Sequence, residues 1–154
     1  MLSATLLRHS RVLFAVAATT LLSGLQPALA GVDDVTVYKD PNCGCCGKWA
    51  EHLRLHGFQV KEIPTAQMDR VKREARVPAA LASCHTAKVG GYVVEGHVPA
   101  TDVKRLLAVK PQIAGISAPG MPQGSPGMEG PFTPDRYEVV SFDGHGNTTT
   151  FARH

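Results

Sequence analysis

Val35-Thr36-Val37-Tyr38-Lys39-Asp40-Pro41-Asn42-Cys43-Gly44-Cys45-Cys46-Gly47-Lys48-Trp49 runs from a strand pattern through a turn into a helix. Its first four residues are β-branched or aromatic, and Asp40-Pro41-Asn42 punctuates the end of a strand. From Gly47 to His56 the spacing of Trp49, Ala50 and Leu53 is helical, and Gly57 stands where that helix should stop. Phe58 to Ile63 then alternates apolar and polar residues up to Pro64, as a half-buried strand does. The opening unit is therefore β-α-β, with three cysteines at the junction between its first strand and its helix.

Working outward, Met68, Val71 and Ala75 predict a second amphipathic helix that ends near Val77-Pro78. Its Asp69, Arg70, Lys72, Arg73, Glu74 and Arg76 read as a solvated face. Thr86 to Val89 and Tyr92 to Glu95 predict two strands joined by Gly90-Gly91, a two-residue hairpin signal. Val103, Leu106 and Leu107 mark a third helix ending at Lys110-Pro111. Six prolines and five glycines between Pro111 and Pro134 argue for a long loop with neither helix nor central strand, and such loops are functional or disordered. Tyr137 to Phe142 and Thr148 to Ala152 read as a closing hairpin. The expected fold class is α/β, running β-α-β-α-β-β-α with a long Gly/Pro-rich loop and a C-terminal hairpin. Its core should draw on Val35, Val37, Trp49, Leu53, Phe58, Val60, Leu106 and Leu107.

Residues 1–30 have the pattern of a secretory signal: Arg8 and Arg11 without an acid, an apolar run from Val12 to Leu25, and Ala28-Leu29-Ala30 ahead of Gly31. The run is shorter than the roughly 20 residues of a spanning helix. The expected mature domain is 31–154, periplasmic, with no membrane association after cleavage. The chain has 154 residues, 44% of them hydrophobic and 19% charged, which suits one loop-rich domain and excludes a coiled coil. Two of its 16 basic residues lie in the signal, and the rest barely outnumber the 13 acidic ones. No electrostatic case for a nucleic-acid partner survives.

The chemistry points to the cysteines. Cys43, Cys45 and Cys46 open a helix, where unpaired amides and the helix dipole stabilise a thiolate. An oxidising compartment equally permits an inert Cys43–Cys46 staple. Clustered thiolates suit a soft metal, and Cys84 with His85 could complete a site across the fold. Met121 and Met128, carried by a loop, offer thioethers that suit copper(I) and that zinc would not need. His97 lies where it could approach the same end of the sheet. His52 and His56 form an i, i+4 pair, but His52 lies roughly 10 Å from Cys45 along the helix at about 1.5 Å per residue, so this pair reads as a solvated face. His145 and His154, in a turn and at the terminus, carry no signal.

Four motifs in order, Tyr38 to Cys46, Ser83-Cys84-His85-Thr86, Gly91 to Pro99, and Pro119 to Glu129, resemble the CopG-type periplasmic copper proteins, long catalogued as a domain of unknown function. The resemblance covers nearly all of the mature chain. It implies a thioredoxin-like domain, a role in copper resistance, and a cysteine-bridged, multinuclear copper cluster that changes oxidation state. Carried over by position, Cys43, Cys46 and Cys84 are the leading ligands, then Cys45, then His97, Met121, Met128 and His85. The reading is a copper-binding protein able to interconvert Cu(I) and Cu(II), in contact with a copper exporter or a periplasmic redox partner. The alternatives are a thiol–disulfide oxidoreductase using Cys43 and Cys46, and a passive copper chaperone.

Overall fold

The computed structural model describes residues 34–154; the expected signal at 1–30 lies outside the described residues. The elements are β1 (Asp34–Lys39), α1 (Gly44–Leu55), β2 (Gln59–Pro64), α2 (Met68–Glu74), a 3-10 turn (Ala79–Leu81), β3 (His85–Val89), β4 (Tyr92–Gly96), α3 (Ala100–Val109), β5 (Gly115–Ala118), β6 (Glu138–Phe142) and β7 (Thr148–Arg153). They form a mixed α/β domain around one seven-stranded sheet of order β2-β1-β3-β4-β5-β6-β7. The β1–β2 and β4–β5 pairs are parallel and the others antiparallel.

Local patterning accounts for the elements that carry the site. In β1, Val35 and Val37 are buried while Thr36 and Tyr38 are only half-buried, the period-2 alternation of a strand with one face on the core. Helix α1 buries Cys46, Trp49, Ala50 and Leu53, the i, i+3, i+4, i+7 stripe that lays a helix on a sheet. It begins three residues earlier than apolar spacing alone suggested, at Gly44, so the cysteines lie in its first turn. In the β3–β4 hairpin, Gly90 and Gly91 both have positive φ, 55° and 86°, as a two-residue turn matched to strand twist requires. Helix α3 ends on Lys110 in the left-handed region, immediately before Pro111. Val35, Val37, Trp49, Leu53, Phe58 and Leu106 are buried in one cluster, with Val60 and Leu107 packed on its margin.

One sequence expectation fails. The stretch from Pro111 to Pro134 is not all loop: Gly115 to Ala118 is a central strand, buried along its whole length, between β4 and β6. Its prolines lie on either side of a proline-free window from Gln112 to Ala118, so the composition of the longer stretch hid a short strand whose hydrogen bonds proline does not interrupt. The irregular segment therefore begins at Pro119. Among the described residues no helix is long and apolar enough to cross a membrane.

Candidate metal centre

The end of β1 and the start of α1 are joined by a turn in which the Asn42 N–H donates to Asp40 Oδ1 at 2.8 Å and the Cys43 N–H to the Asp40 carbonyl at 3.0 Å. This turn sets Cys43 at the N-cap of α1, with no side-chain cap. Cys43 thus marks the end of α1 where the first-turn amides have no partner within the helix, and Cys45 and Cys46 lie in that turn. Cys43 and Cys46, one turn apart, form a disulfide, and Cys45 and Cys84 are free thiols. The pairing foreseen in the staple reading is thus present in this state.

Cys84 comes from the chain just before β3, and the sheet brings it to the helix. Cys45 Sγ lies 3.5 Å from Cys43 Sγ and 4.0 Å from Cys84 Sγ. Cys84 Sγ lies 3.0 Å from His97 Nε2 and 3.4 Å from His85 Nδ1. Donor atoms of the four cysteines fall within 4.8 Å of one another, and so do those of Cys84, His85 and His97. Two overlapping donor groups share Cys84, so the residues fit a soft cation or a small group of them.

Two buried histidines adjoin the sulfurs. His97 is fully buried and its Nδ1 lies 2.8 Å from the Pro126 carbonyl. A carbonyl only accepts, so neutral His97 carries its proton on Nδ1 and turns the Nε2 lone pair toward Cys84; such a second contact commonly orients a metal-binding histidine. His85 is buried against Trp49, ring centroids 4.3 Å apart, and meets His97 edge-on at 4.9 Å. Its Nε2 is buried without a hydrogen-bond partner among the described residues. Burial lowers both histidines from their ordinary value, His85 further because His97 and Lys72 add to the effect. Burial, and then the neighbouring Cys45, push the Cys84 thiol up to about 12. Such a thiol gives up its proton readily only to a cation that takes its place.

The segment after β5 passes over this cluster. Gly120 makes a parallel bridge with Ser83, and the Ser83 hydroxyl donates to the Gly120 carbonyl. Gly127, at φ +86°, presses on the start of α1 so closely that a Cβ there would come within 2.8 Å of the Cys45 carbonyl oxygen and the Trp49 nitrogen. Met128 follows it and is half-buried, whereas Met121 is 54% exposed.

Two polar residues differ from their expected roles. His52 is not simply solvated: its Nε2 accepts the Ala100 N–H at 3.1 Å, and with Trp49 Nε1, which donates to the Val98 carbonyl at 2.8 Å, it ties α1 to the start of α3. Lys72 is not part of a solvated face either. It reaches the fully buried Glu95 carboxylate, which also accepts from the Ser83 N–H and the Thr86 hydroxyl, each at 2.7 Å. Burial raises the Glu95 carboxyl from its ordinary value, and Lys72 pulls it back. Neither partnership could be read from the chain, since each joins residues far apart in sequence. His145 and His154 stay outside the cluster, and His154 is taken up by Asp102 at 2.7 Å.

The family described as "Protein of unknown function, DUF411" matches residues 81–128, which span Cys84, His85, His97, Met121 and Met128. No curated protein matches the chain. Among solved structures it is similar to one called "Copper resistance protein copG- Form 2", with 41% identity and a TM-score of 0.76 over 79% of this chain and 98% of that one. It is similar also to "Copper resistance protein copG- Form 1", with 41% identity and a TM-score of 0.75 over 79% and 96%.

Proposed function

The chain belongs to the CopG copper resistance family, and from that premise we propose that it takes copper as its cargo through the thiolates of Cys43, Cys45, Cys46 and Cys84 in the periplasm, after removal of residues 1–30. The observation that carries this reading is the convergence of four sulfurs and two histidines, from distant parts of the chain, at one helix N-terminus. In this reading His97 and His85, whose ring nitrogens adjoin Cys84, complete the coordination, with Met128 and Met121 as further soft donors. Thiolates placed so closely bridge ions more readily than they crowd one ion, which favours a multinuclear cluster. The element order β1-α1-β2-α2-β3-β4-α3 supports a thioredoxin-like core.

The redox half of the proposal rests on the Cys43–Cys46 disulfide. Two Cu(II) ions reduced to Cu(I) take up the two electrons released when the Cys43 and Cys46 thiols lose their protons and close the S–S bond. The reverse reaction reopens the pair and returns two Cu(II). Electrons balance within the site, and an exporter or redox partner would then draw off copper of either state. The same disulfide favours a second reading, thiol–disulfide exchange with another protein. Anaerobic copper titration of the reduced protein, with metal analysis and X-ray absorption, tests the first. More than one copper per chain with copper–sulfur scattering is expected. A copper-free protein that turns over a model disulfide rapidly, with no copper–sulfur signal on loading, would replace it with the second.

A further inference from the structure

Behind Cys84 lies a polar cluster that takes no part in the proposed coordination. Glu95, on β4, is fully buried, and its counterion Lys72 reaches it from α2 with its side chain only 15% exposed. A buried ion pair is weak evidence for stability, since desolvation offsets the attraction and apolar residues of similar size commonly do as well. What this pair does locally is specific. Glu95 Oε1 accepts the N–H of Ser83, the residue next to Cys84, and Oε2 accepts from Thr86, two residues beyond it. Lys72 Nζ also donates to Thr86 Oγ1 at 3.2 Å. One carboxylate therefore grips the chain on both sides of Cys84: at Thr86, inside β3, and at Ser83, ahead of the strand, where the ladder to β4 does not reach. Ser83 in turn holds Gly120, so the same grip reaches the segment that crosses the cluster.

We propose that Glu95, with Lys72 as its counterion, is a positioning residue that fixes Cys84 opposite Cys45 and His97. The inference deepens the copper reading and rests on it for its purpose, although the positioning itself is measurable without copper. Replacing the pair by Lys72→Met with Glu95→Met removes the grip without leaving a buried charge, so the fold should survive. Lys72→Met with Glu95→Gln restores an acceptor for the Ser83 N–H.

The test uses the copper-free protein with its disulfide closed, in which only Cys45 and Cys84 can be alkylated, and reads each site by mass spectrometry. In the Met/Met variant Cys84 should react about tenfold faster while Cys45 is unchanged, the size expected when a charge-assisted hydrogen bond no longer opposes local opening. The Met/Gln variant should stay within about twofold of wild type, because a neutral hydrogen bond still holds Ser83. Copper-loaded Met/Met protein should lose the thiolate-to-copper absorption in the same order. If the Met/Met variant does not fold, Glu95→Asp, which keeps the charge but retracts from Ser83, should raise Cys84 labelling in the same way. Unchanged Cys84 labelling in a folded Met/Met or Glu95→Asp variant, or equal acceleration in Met/Met and Met/Gln, overturns the proposal. A wild-type protein that binds no copper sinks the copper reading and leaves the labelling to decide the positioning.

Discussion

Cys84 is the residue on which the two donor groups meet, and it is only half-buried. Cys84→Ser should therefore abolish copper loading while changing unfolding stability by no more than about 0.5 kcal/mol, as substitutions away from a packed core do. Normal copper content in that variant would remove the proposed site. His52 gives a pH dependence of known sign. Burial, and then His56, lower it from its ordinary 6.5, against the pull of Glu129. A histidine lowered in the folded state binds fewer protons there than in the unfolded chain, so its contribution is present above 6.5 and is lost as pH falls through its lowered folded value. Copper-free protein should melt at lower temperature as pH drops below 6.5. His52→Gln, which can still accept the Ala100 N–H but does not titrate, should flatten that slope; an unaltered slope would mean that other groups set it.

At the scale of elements, the segment from Pro119 to Pro134 and the first turn of α1 act together. Gly127→Ala places a methyl group against backbone atoms of Cys45 and Trp49 in a φ region that alanine resists. The strain, about 1–3 kcal/mol, should lift the segment, lower the melting temperature and speed alkylation of Cys45. Wild-type labelling of Cys45 would show that the segment does not cover it. The two methionines should separate by burial. Met128→Leu is expected to weaken Cu(I) retention by about tenfold, the lower end of what losing a supporting group does at a metal site. Met121→Leu, at a position 54% exposed, should do less. Equal effects from both would mean that the segment closes further on copper than it does in the copper-free fold.

For the whole molecule, the disulfide links copper capacity to redox state. With Cys43 and Cys46 joined, two of the four thiols cannot become thiolates, so copper bound per chain should fall by about half relative to the reduced protein, since only a thiolate is a strong ligand. Metal analysis after loading with and without prior reduction makes the comparison. Equal loading in both states would place copper elsewhere than on this pair.

The sequence by itself was enough for the local elements and for the chemistry they carry. β-Branched and aromatic residues ahead of Asp40-Pro41-Asn42 specified β1, apolar alternation specified β2, the stripe through Trp49 and Leu53 specified α1, Gly90-Gly91 specified the hairpin, and three cysteines within four residues announced a soft-metal or thiol site. These are properties of neighbours along the chain, and side-chain periodicity reports them directly. Only the tertiary structure decided that β5 is an interior strand between β4 and β6 and that Cys84 and His97 reach the first turn of α1. It alone showed His52 capping α3 and Glu95 gripping Ser83 with Lys72. Each joins residues separated by other elements, and which pairs meet is set by sheet order and packing, for which a single sequence carries no periodic signal.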